Sequence, residues 1–152
     1  MGRILALDYG ARRIGVALSD PTYTIASPLT TLKRRPGKRP PWPEITRLVQ
    51  ENEVEEVVVG LPLDLSGNEG EWAAEVRVFG EHLARRTGLP IHWIDERLTS
   101  VQAERTVRGL GLKRSQREEK ERVDAAAAAI ILQSFLQRRK RADVAEASGD
   151  GL

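Results

Sequence analysis

Three acidic positions sit where chain propensity alone would not place a charge. Asp8 closes the first apolar run of LALDYGARRIGVALSD (5–20). Asp95 and Glu96 close the apolar stretch that begins at Ile91, and Asp124 lies beside the apolar stripe of KERVDAAAAAIILQSFL (120–136). On a helix the positions four and seven residues beyond Asp124 are Ala128 and Ile131, both apolar, so its carboxylate points close to a packed surface. Ionised carboxylates within a few ångströms of one another repel unless a hard cation joins them, and oxygen-only ligation suits Mg²⁺ or Mn²⁺. Two such ions about 4 Å apart activate a water and stabilise the leaving oxygen in phosphodiester cleavage. Each acid also has a purely structural reading: Asp8 as a turn former before Gly10, Asp95 and Glu96 as exposed partners of Arg97, Asp124 as the partner of Lys120 one turn away.

The elements that would gather these groups follow from the hydrophobic rhythm. Residues 3–9 and 14–19 read as strands joined by the GARR hairpin loop, and 26–32 as a third strand after the turn at Asp20-Pro21, which together favour an antiparallel meander. Four prolines and a glycine make RRPGKRPPWP (34–43) a loop, with a helix from 42 to about 53. Strand and helix then alternate. VEEVVVGLP (54–62) is a buried strand, LDLSGNEG (63–70) a loop, and 71–87 an amphipathic helix with Trp72, Val76, Phe79 and Leu83 on one stripe, stopped by Gly88-Leu89-Pro90. Residues 91–95 form the next strand and 100–108 the next helix. The last helix opens on a Ser115/Glu118 capping box and packs Val123, Ala126, Ala127, Ile130, Ile131, Ser134 and Phe135. The expected fold is a single α/β domain over 1–141, a mixed sheet covered by helices, followed by a disordered tail over 142–152.

Composition bounds the function classes. At 152 residues the chain is about one domain and can bury a core unaided. It has no cysteine, which excludes disulfides and thiolate metal sites and suits a reducing compartment. The longest apolar run, AAAAAIIL (125–132), is too short for a membrane span, so a cytoplasmic protein is expected. Net charge is only +2, with a pI near 9.2, but basic residues cluster in KRRPGKR (33–39), ARR (84–86) and RRKR (138–141). Such clusters suit a polyanionic partner, although solvated loop tips would look the same.

LALDYGARRIGVALSD, VVVGLPLDLSGNEG, IDERLTS and KERVDAAAAAIILQSFL, in that order over nearly the whole chain, resemble the YqgF family, also called RuvX, a group of Holliday junction resolvases or pre-16S rRNA processing nucleases. The resemblance implies an RNase H-like, three-layer fold with a five-stranded mixed sheet in the order β-β-β-α-β-α-β-α. It places the family's acidic residues on Asp8, Glu96 and Asp124 as catalytic metal ligands for Mg²⁺ or Mn²⁺, with Glu121 and Asp95 as candidates for a fourth carboxylate. Gly10 and Gly15 would let the hairpin pass close to a phosphate or another backbone. Gly60 and Pro62 would line a substrate groove or form a rigid turn. Arg13, Arg97, Thr99 and Ser100 would meet phosphates, the last two alternatively as helix caps.

The expected activity is metal-dependent hydrolysis of structured nucleic acid, with 5′-end maturation of pre-16S rRNA first and four-way DNA junction resolution second. The former is compatible with a monomer, the latter with a homodimer. Two other classes compete. A nucleotide-hydrolysing fold of the actin type shares the strand-D-x-G hairpin but needs a duplicated domain, which 152 residues do not supply. A non-catalytic nucleic-acid-binding module would have no need of all three acids.

Overall fold

The computed structural model describes residues 2–35, 37–99 and 116–150, with side chains along the last helix described from 121 to 143. Strands β1 (Arg3–Tyr9), β2 (Arg13–Ser19) and β3 (Ala26–Lys33) form the antiparallel meander. Helix α1 (Trp42–Glu51), strand β4 (Val54–Leu61), helix α2 (Glu71–Thr87) and strand β5 (Ile91–Asp95) follow. A single 3₁₀ turn (Glu96–Leu98) and the long helix α3 (Gln116–Asp150) complete the order. The helix expected over 100–108, Ser100 and the Ser115 half of the capping box lie outside the described residues. Helix α3 continues through 142–150, the stretch expected to be irregular.

The sheet runs β3-β2-β1-β4-β5, with β4 parallel to both β1 and β5. Central β1 is buried on both faces, which its sequence permits because every residue from Ile4 to Leu7 is apolar. Leu5, Leu7 and Tyr9 share one face with Val57, Val59 and Leu61 and pack against Ile45 of α1 and Val76, Phe79 and Leu83 of α2. Ile4 and Ala6 share the other with Val58 and Ile94 and pack against Ala127, Ala128, Ile131 and Leu132 of α3. The result is three layers, helix on sheet on helix.

The buried line of α3 is rotated from the one expected. Ala125, Ala128, Leu132 and Leu136 are buried, whereas Ala126, Ile130 and Ser134 are only half-buried. The run AAAAAIIL is apolar all round for two turns, so periodicity alone leaves its phase open. A polar tie fixes the C-terminal half: Glu56 of β4 accepts hydrogen bonds from Arg139 at 2.7 Å and pairs with His92 of β5 at 2.9 Å. Burial alone would raise the Glu56 carboxyl, but the bonds from Arg139 and His92 outweigh it and hold it below its ordinary value.

At the sheet's outer edge β3 is largely exposed, and its pairing shifts register where Pro28 meets Ala17. The turn leading into it is organised by Asp20, which accepts from the backbone N–H groups of Ile25 (2.7 Å), Thr24 (2.8 Å) and Thr22 (3.2 Å) and from the Thr22 hydroxyl. These bonds, that of Ile25 foremost, hold its carboxyl far below the ordinary range.

Candidate active site

The three acids expected to act together lie on one face of the sheet, and two glycines make that possible. Asp8 follows Ile4 and Ala6 in alternation, so its side chain takes the α3 face. Across the hairpin it pairs with Gly15. On its other side, one step beyond the last parallel pair of Leu7 with Val59, it stands beside Gly60. Gly15, Asp8 and Gly60 therefore form a row across the three central strands, with the acid in the middle.

Each glycine leaves room for one other carboxylate-bearing residue. A Cβ on Gly15 would stand 1.9 Å from the backbone oxygen of Asp124, so α3 rests main chain on main chain there. A Cβ on Gly60 would stand 2.9 Å from Glu96 Oε1 and 2.6 Å from Ile131 Cδ1. Gly60 is thus a floor beneath Glu96, within β4 and not in a turn after it. Asp8 and Glu96 are the two buried acids among the described residues, 5% and 6% exposed, and both are engaged in interactions of their own.

Asp124 is more open, and its Oδ2 receives the Arg13 Nε–H at 2.6 Å. Its partner is an arginine of the hairpin, 111 residues away. Among the described residues no set of three histidine, aspartate or glutamate side chains stands close enough, as placed, to hold a metal ion. The chemistry of the donors still fits one: Asp8 at the end of β1 and Glu96 after β5 offer hard oxygens on one face, on either side of β4, and Asp124 on the same face is held by a contact that a cation or phosphate could replace.

The remaining expected residues build the walls. The Gly10 N–H donates to the Arg13 carbonyl at 2.9 Å, and its own carbonyl accepts from Arg34 Nη1 at 3.0 Å, which closes the hairpin loop. Arg97 is engaged locally: it forms a two-pronged pair with Asp95 (Nη2 to Oδ2, 2.6 Å) and donates to the Leu65 carbonyl at 3.3 Å, tying the loop after β4 to the end of β5. That pair, together with the Arg97 backbone N–H on Asp95 Oδ1, holds the Asp95 carboxyl below its ordinary value. Asp95 pairs with Leu61 and so belongs to the α2 face, away from Glu96. The Thr99 hydroxyl donates to the Glu96 carbonyl at 2.7 Å and closes the 3₁₀ turn that presents Glu96. Pro62 is half-buried directly after β4.

Glu121 stands beside Asp124's approach in another setting. Its backbone oxygen accepts from Thr31 Oγ1 at 2.6 Å, and it lines a cavity of about 480 Å³ with Arg12, Arg13, Lys33, Arg34 and Arg35. Arg34 was not singled out by sequence reasoning, although it lies in the KRRPGKR cluster that marked this region as basic.

A five-stranded sheet of this order, with the first three strands antiparallel and acids at the ends of β1 and β5 facing a last helix, defines an RNase H-like α/β protein. The fold is shared with Thermus thermophilus RuvC: its structure in complex with a Holliday junction substrate superposes with a TM-score of 0.53 at 17% identity, covering 92% of this chain and 96% of that one. Sequence narrows the class further. The chain belongs to the RuvX family, whose model, described as Holliday junction resolvase, matches residues 2–138. Proteins named "Putative pre-16S rRNA nuclease" are similar over most of their length. That of Chloroflexus aurantiacus is 49% identical over 137 residues, 90% of this chain and 88% of its own. That of Roseiflexus is 46% identical over 139 residues, 91% of this chain and 96% of its own.

Proposed function

We propose that this protein is a metal-dependent nuclease that hydrolyses phosphodiester bonds in structured RNA, and that its substrate is the 5′ region of the pre-16S ribosomal RNA. The observation that carries the reading is the Gly15–Asp8–Gly60 row, which reserves space on either side of a buried aspartate for Asp124 and Glu96. Asp8 and Glu96 would hold Mg²⁺ or Mn²⁺, and Asp124 would join them when Arg13 leaves it. The bound cation supplies an activated water at neutral pH and neutralises charge on the phosphate.

The chain's own residues do the rest. The apolar packing beneath Asp8 and Glu96 keeps their carboxylates fixed. Arg13 is placed to pass its contact from Asp124 to an incoming phosphate, a charge-assisted exchange between two oxyanions. Arg97 and Thr99 act as positioning residues, holding the turn that carries Glu96. The names of the similar proteins support RNA as substrate, and the absence of cysteine suits the reducing cytoplasm. A second reading, cleavage of four-way DNA junctions, is favoured by the family description and by the fold shared with a junction-bound resolvase.

Offering pre-rRNA fragments and four-way junctions side by side, with Mn²⁺ or with a chelator, tests the proposal. Wild-type protein cleaves the RNA only with metal, and Asp8→Asn and Glu96→Gln each lower the rate at least about a hundredfold, the loss expected at or above that of a supporting group. Unchanged cleavage by Asp8→Asn would refute the catalytic assignment, and paired cuts in the junction alone would establish the second reading.

A further inference from the structure

Tyr9, the residue after Asp8, turns to the opposite face of the sheet and begins a second site there. Its ring stacks on Phe79 at 4.1 Å, and Phe79 stacks in turn on Trp42 at 5.3 Å. These three rings floor a cavity of about 630 Å³, between the loop that contains Gly37 and the exposed side of α2. Its walls combine apolar surface with opposite charges. Val78 is half exposed toward it, His82 lies on the same side of α2, and Glu75 is the single carboxylate. Arg34, Arg39 and Arg86 form a cationic rim, two of them set over the floor rings: Arg34 over Tyr9 at 4.5 Å and Arg86 over Trp42 at 4.6 Å.

The cavity's chemistry selects its ligand. Its volume suits a small organic molecule, and its net positive rim calls for an anion. Guanidinium groups over aromatic rings, with one carboxylate to accept from amino groups, are features that suit an unstacked nucleobase together with its phosphate. Position supports the same choice. Arg34 lines this cavity and also the basic one that contains Arg13, and it bonds to Gly10 at the tip of the hairpin that carries Asp8. Cations thus run without a break from Asp124's partner around the end of the sheet to this pocket.

We propose that the Tyr9–Trp42–Phe79 pocket receives an unpaired nucleotide of the substrate strand, its base against the α2 wall and its phosphate on Arg39 and Arg86. This rests on the nuclease reading for the identity of the chain it grips, and it adds a preference for single-stranded extensions next to a duplex. The test compares a blunt RNA duplex with the same duplex bearing a short unpaired extension, by fluorescence anisotropy without divalent metal. Wild-type protein binds the extended form about tenfold tighter, the scale of one stacked base. The double variant Arg39→Gln/Arg86→Gln, at two exposed side chains, loses that ratio even where both affinities fall through lost charge. The imidazole resonance of His82, one of two histidines in the chain, shifts with the extended duplex and not with the blunt one. Equal affinities in wild type, a ratio retained by the double variant, an unmoved His82, or an acidic peptide that competes as well as the extension would each overturn the proposal. Asp8→Asn keeps the tenfold ratio. Cleavage lost in that variant with no ratio in wild type would sink the pocket and spare the nuclease reading, whereas cleavage retained with the ratio intact would do the reverse.

Discussion

Replacing Gly15 with alanine inserts a methyl group where α3 already touches β2. The new Cβ would stand 1.9 Å from the Asp124 oxygen and 2.4 Å from its carbonyl carbon, both backbone atoms with no rotamer to change. Ordinary contact begins at 3.4 Å, so the helix must withdraw by about 1.5 Å at this point. Overpacking of this kind costs about 1–3 kcal/mol, or a fall in Tm of about 2–12 °C for a domain of this size. The larger consequence is positional. Asp124 moves with its backbone away from Asp8, and a misplacement of about 1 Å in a reacting constellation costs about a hundredfold in rate. Thermal melts and cleavage assays below the variant's own Tm separate the two effects. A folded Gly15→Ala protein with wild-type Tm and wild-type activity would show that α3 does not rest on Gly15 and that the row of three positions has no part in catalysis.

Arg13→Gln frees the Asp124 carboxylate of its competitor, so Mn²⁺ should raise the Tm of this variant at several-fold lower concentration than it does for wild type; weaker metal stabilisation would mean that Arg13 orients Asp124 and does not compete for it. Glu56→Gln tests the tie between β4, β5 and α3. Because the folded carboxyl titrates below its ordinary value, its stabilising effect is present above the unfolded pKa and is lost as pH falls through the folded one. The Tm gap between wild type and Glu56→Gln should therefore be open at pH 6 and close as the solution is acidified below the ordinary carboxyl value of about 4.5; a gap independent of pH would assign the effect to packing.

The strands and the two shorter helices could be read from local pattern because each presents one apolar face at a fixed period. β1, α2 and β5 begin and end where the alternation and the Gly88 stop place them. Gly88 adopts the left-handed conformation that a helix-ending glycine allows, and its N–H closes on the Ala84 carbonyl. The acids were also legible, since a charge at the end of a buried strand needs a reason. Their partners were not. Arg13 on Asp124 and Arg139 on Glu56 join residues far apart in the chain, and only the folded sheet brings them together. The role of Gly60 was hidden for the same cause: a missing side chain has meaning only once the neighbour that fills the space, here Glu96, is known. The basic clusters announced a polyanion but not their division of labour, in which 33–39 and 84–86 meet at one pocket while Arg139 turns inward to Glu56.

The shift in register at Pro28 bears on how molecules of this protein can meet. An edge strand with a full row of free N–H groups is a template on which another sheet can grow. β3 lacks one of those donors at Pro28, and its pairing with β2 breaks step at the same place. A second molecule laid alongside would find no regular ladder to extend, so growth of the sheet from one molecule into the next is disfavoured at β3. The exposed edge beside the hairpin of Asp8 and Arg13 is therefore a poor template for a strand of a second molecule.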